Sequence, residues 1–142
     1  MFAALPLLAL PVLLYNLVLF TMRGNLNTAD APTQLANPLF VIRMTSGGAW
    51  PVTLGDLFLG AALVVLFIEL LKSTNSRNIA IINHSLSLIL FVGCLVEFLL
   101  LKGFATSVFF LITLMVLLDV LAGFIVTIVS SRRDIDLQGP GG

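Results

Sequence analysis

Four apolar stretches, residues 3–22, 54–71, 79–101 and 105–129, take up most of this 142-residue chain. Each comes near the roughly 20 residues that a helix needs to cross the hydrocarbon of a bilayer. Lipid offers no partner for free backbone N–H and C=O groups, so such segments must close their hydrogen bonds internally. Composition agrees with a membrane protein: 59% of residues are hydrophobic, 10% are charged, and the mean hydropathy is +1.14. A soluble domain carries about 25% charged residues, and this chain lacks the polar side chains to cover one.

The second run is the shortest, with Asp56 near its start and Glu69 near its end. Both carboxylates fall within about a turn of an interface, where charge is less costly. The first run lacks the positive leader of a signal peptide, since no Lys or Arg precedes Arg23. Ala29-Asp30-Ala31 imitates a cleavage site, but it lies beyond the apolar run and Pro32 follows it. An uncleaved first helix is expected, with Pro6 and Pro11 kinking its outer turns.

Short connections at 72–78 and 102–104 predict that the second, third and fourth helices form consecutive antiparallel hairpins. The longer excursion, 23–53, begins as irregular loop through residues 24–33. Residues 39–45 and 49–53 then resemble two strands around Ser46-Gly47-Gly48, with Pro51 at an edge position. The alternative, an interfacial helix, would be ended by Gly47 and Gly48. The expected fold is therefore an all-α membrane protein. Four transmembrane helices (about 3–22, 54–71, 79–101 and 105–130) form an antiparallel bundle within one domain, 1–137. A small β-hairpin lies in the loop between helices one and two, with Trp50 as an interfacial anchor, and 138–142 is a flexible tail. Lys72, Arg77, Arg132 and Arg133 on one side outnumber Arg23, Arg43 and Lys102 on the other, which puts both termini in the cytoplasm.

Within the bilayer the polar residues are few. Asp119 lies near the middle of the fourth run, where an ionised carboxylate costs about 2.5–3.5 kcal/mol on insertion scales. Gly123, Thr127 and Ser131 follow it at successive i+4 positions, a small-residue stripe suited to close helix packing. In the third run Asn83, Ser87, Leu90, Cys94 and Glu97 share one helical face, and His84 borders it. Depth matching gathers Glu69, Asn83, His84, Ser87, Asp119 and Thr127 in the cytoplasmic half of the bundle. Asp119 is either a proton or cation site or a carboxyl fastening helices through Ser87, Asn16 or Tyr15. His84 is read first as a neutral, hydrogen-bonded histidine, Glu69 as a partner of Lys72 at i+3, and Asp56 as the acidic member of a capping box with Thr53. Glu97 is read as reaching toward Lys102 or water, and Cys94 as a packed small residue.

Several function classes drop out. Zero formal net charge and the lack of a basic patch set nucleic acid aside. One cysteine and one histidine cannot close a four-ligand zinc site, and no cofactor or catalytic motif is evident, so no enzyme is expected.

Ser46-Gly47-Gly48-Ala49-Trp50, Thr53-Leu54-Gly55-Asp56-Leu57, Leu95-Val96-Glu97-Phe98-Leu99 and Asp119-Val120-Leu121-Ala122-Gly123-Phe124 together resemble a family of small four-helix inner-membrane proteins of alphaproteobacteria. The resemblance covers most of the chain. It implies a bacterial inner-membrane location and carries no activity or binding residues. The expected role is an accessory or structural subunit of a larger membrane complex, in contact with lipids and with a protein partner or further copies of itself. The alternatives are a homo-oligomeric proton- or cation-coupled channel or transporter using Asp119, and lipid or quinone binding between helices.

Overall fold

Pro6 decides where the first helix begins. In the computed structural model, which describes residues 5–23, 29–72, 77–137 and 139, α1 runs from Ala9 to Arg23. It is preceded by a turn in which Ala9 N donates to the Pro6 carbonyl at 3.1 Å. Pro11 falls in the first turn, where a missing N–H costs nothing because those donors have no intrahelical acceptor. The first helix is therefore 15 residues long, about 22 Å, and starts later than the sequence suggests. The tail beyond 137, the connection at 73–76 and the loop at 24–28 lie outside the described residues, apart from Gly139.

The excursion holds one element that the sequence reading missed. Residues Ala31–Leu35 form a short helix, α2, with proline in its opening positions. Proline is pre-set for a first helical turn, and Ala31 and Leu35, four apart, are both buried in the core. Strands β1 (Pro38–Arg43) and β2 (Ala49–Thr53) then pair antiparallel, with Ile42 opposite Trp50 and Val41 opposite Pro51. Gly47 turns the ribbon at φ +83°, a conformation that glycine adopts without strain. Both faces of the ribbon are largely exposed, and Val52 is its buried residue.

At the end of β2, Thr53 caps α3 (Leu54–Lys72). Thr53 Oγ1 accepts from Asp56 N at 3.1 Å, while Asp56 Oδ2 accepts from Thr53 N at 2.9 Å, the reciprocal cap that the spacing predicts. Helix α4 (Arg77–Leu100), a 3-10 turn at Lys102–Phe104 and α5 (Ser107–Leu137) complete the chain. Thr106 Oγ1 accepts from Phe109 N at 3.1 Å and so caps α5. Among the described residues three helices, within 54–72, 80–100 and 107–137, are long and apolar enough to cross a membrane; α1 is apolar but shorter.

Helix α5 is the centre of the bundle. Ser87 meets Asp119, His84 meets Gly123 and Phe98 meets Phe110, so the residue numbers rise on α5 as they fall on α4, and the two are antiparallel. Gly55 approaches Val108 near the start of both helices, which makes α3 parallel to α5. The main packing partner of α3 is thus α5, not its sequence neighbour α4.

The core divides into two unlike halves. Near the 3-10 turn, Tyr15, Phe58, Phe104 and Phe109 stack with ring centroids 4.7–5.5 Å apart. Tyr15 is 1% exposed, and its hydroxyl donates to the Gly103 carbonyl at 3.1 Å while meeting Thr106 Oγ1 at 2.7 Å. Toward the other end, the side chains between helices become polar.

Candidate functional site

Helical periodicity brings these polar groups together. On α3, Gly55, Phe58, Ala62, Leu66 and Glu69 recur at steps of three and four, so Glu69 ends the buried stripe. On α4, Asn83, Ser87 and Cys94 are buried, with Leu90 and Glu97 partly so, along the single face read from the sequence. On α5 the buried stripe closes with Asp119, about 18 Å along the axis from Ser107.

Glu69 is fully buried and joins three parts of the chain. One carboxylate oxygen accepts from the Asn83 side-chain amide, and the other accepts from the backbone N–H of Leu7 at 2.8 Å. One turn further, Lys72 Nζ donates to the Leu5 carbonyl at 2.7 Å. Glu69 and Lys72 therefore clamp the backbone on either side of Pro6 instead of pairing with each other. Asp119, 4% exposed, accepts from Ser87 Oγ at 2.7 Å and lies within electrostatic reach of Glu69, His84 and Lys72. Glu69, Asn83, Ser87 and Asp119 thus form one buried cluster spanning α3, α4 and α5.

His84 packs against Gly123, and any β-carbon at 123 would overlap the imidazole. Its Nε2 is buried without a hydrogen-bond partner, as is Oδ1 of Asn83. A groove of about 320 Å³ runs beside the ring, lined by Ile81, Leu88, Leu121, Phe124 and Thr127. Ser85 donates to the Ile81 carbonyl and Ser87 to Asp119, so neither serine pairs with the histidine.

Comparison with protein-family models, with curated proteins and with solved structures returned no match. The chemistry of the site is therefore read from its own geometry. Among the described residues no group of three or more His, Cys, Asp or Glu is placed to hold a metal.

The small-residue stripe is placed differently from the expectation that it packs within the bundle. Gly123 is in contact, through His84, but Thr127 and Ser131 are exposed. Each donates to its own helix, Thr127 to the Gly123 carbonyl at 2.9 Å and Ser131 to the Ile128 carbonyl at 2.8 Å. Thr127 therefore stands outside the buried cluster, lining the groove. Trp50 is 45% exposed on the ribbon. Glu97 accepts from Asn16 Nδ2 at 3.3 Å, and Asp56 is occupied as a cap. Sequence reasoning missed the clamp on Leu5 and Leu7. Its signal was Pro6 itself, which interrupts backbone pairing beside N–H groups that need outside acceptors.

Proposed function

We propose that this chain is a small integral membrane protein serving as an accessory or structural subunit of a larger membrane complex, docked through the C-terminal half of α5. The observation that carries the reading is exposure on every side of that helix. Each residue from 124 to 129 is exposed, although the segment is apolar enough to lie in the membrane. Lipid could cover it, but lipid needs no small residues. Thr127 and Ser131, one turn apart, instead leave room for a second helix to approach closely. Arg132, Arg133, Asp134 and Asp136 follow on the same helix, which at 31 residues is about 46 Å long and exceeds a hydrocarbon core of about 30 Å. That overhang supplies charged contacts at the membrane surface.

In this proposal α1 is a fourth, shorter crossing, both termini are cytoplasmic, and the membrane is the bacterial inner membrane. A channel within one protomer is less well supported, because the rings around Tyr15 fill the bundle near the 3-10 turn. A homo-oligomeric channel would have to run between protomers. Purification from native membranes in a gentle detergent tests the leading reading. A partner that co-purifies with the natural chain, and is lost from a Thr127→Leu, Ser131→Leu variant, is the expected result. Recovery as a lone monomer or homo-oligomer would contradict it.

A further inference from the structure

The buried cluster has more acceptors than donors. Among the described residues three donors point into it, the Leu7 N–H, one N–H of Asn83 and the Ser87 hydroxyl, and all three end on carboxylate oxygens of Glu69 and Asp119. Asn83, 6% exposed and held in the cluster by its bond to Glu69, leaves its Oδ1 buried with nothing donating to it. A buried carbonyl oxygen without a donor is rare in folded proteins and calls for an explanation. Turning the amide over only moves the demand. The carbonyl would then face Glu69, which must carry a proton to meet it. Among the described residues the titratable or charged groups around the cluster are Glu69 and Lys72 on α3, His84 on α4 and Asp119 on α5. Lys72 does not supply the missing donor: its ammonium donates to the Leu5 carbonyl, and Asn83 Oδ1 has no hydrogen-bond partner.

We propose that the Glu69–Asn83–Ser87–Asp119 cluster is a binding site for one positive charge, a proton shared among its oxygens or a sodium ion in its place. The acceptor atoms of these four side chains are all oxygens, which suits a hard cation or a proton. Asn83 is the residue that distinguishes this site from two carboxyls merely fastening helices. Its buried Oδ1 needs a positive partner, whereas fastening uses only its N–H.

The full chain, reconstituted in nanodiscs of phosphatidylethanolamine and phosphatidylglycerol, permits a direct test by infrared spectroscopy at neutral pH. The protein in N-methylglucamine chloride is expected to show a protonated carboxyl C=O band that is lost or displaced in Asn83→Leu, Glu69→Gln and Asp119→Asn. If sodium is the natural occupant, NaCl at constant ionic strength abolishes the band saturably and raises the thermal midpoint by about 5–10 °C at a hundred-fold excess over Kd. If the proton is the occupant, the band persists and NaCl changes neither measurement. The proposal is overturned if the natural chain shows neither a protonated carboxyl band nor a sodium response. A band unchanged in all three variants, each verified as helical by circular dichroism, would overturn it equally.

Discussion

At Gly123 a single missing β-carbon decides how closely α4 and α5 approach. The imidazole of His84 occupies the space where that carbon would stand. Gly123→Ala should therefore destabilise the protein by about 1–3 kcal/mol, as overpacking of a filled interior does. Thermal unfolding in detergent would measure this. Adding His84→Ala should recover most of the loss, because the two changes act on one contact and cannot be additive. Glu69 presents the opposite case, a residue whose removal leaves others stranded. Glu69→Ala deprives both the Asn83 amide and the Leu7 N–H of their acceptor, and should cost about 2–4 kcal/mol. Glu69→Gln, which keeps an acceptor oxygen, should cost less. Equal effects of the two substitutions would show that the acceptor role is not what matters.

Among the elements, α1 depends on interactions remote in sequence. Tyr15 reaches Gly103 and Thr106 across some ninety positions, and the same Thr106 caps α5. Tyr15→Phe keeps the ring packing and removes the hydroxyl, so its cost should be about 1–2 kcal/mol, read from the unfolding midpoint. A Thr53→Val change at the start of α3 should cost about 1 kcal/mol through loss of the cap. Local signals of this kind were legible in the sequence: the Thr53–Asp56 spacing, the ribbon around Gly47, and the face running from Asn83 to Glu97. Each depends on residues within a few turns of one another. What could not be read depends on tertiary partners. Helix α2 forms where proline chemistry coincides with burial of Ala31 and Leu35, and that burial is not local information. The segment before α1, turned at Pro6, is held by a clamp supplied by α3. Depth matching brought Glu69, Asn83, Ser87 and Asp119 to one level, but it could not tell that Thr127 faces outward, because level is not azimuth.

For the molecule as a whole, Glu69, Asn83, Ser87 and Asp119 are buried between helices while α5 is left bare beyond Gly123. Among the described residues three helices are long and apolar enough to cross a membrane, and in the proposed reading the exposed Thr127 and Ser131 on α5 receive a partner helix. Photo-crosslinking in native membranes tests this most directly. A photoreactive amino acid would be placed at position 127 in one variant and at Leu63, an exposed position on α3, in another. The account predicts a discrete protein adduct from position 127, of a mass different from that of the chain's own dimer, and adducts mainly with lipid from position 63. Lipid adducts alone from both positions, or a self-dimer from position 127, would contradict it.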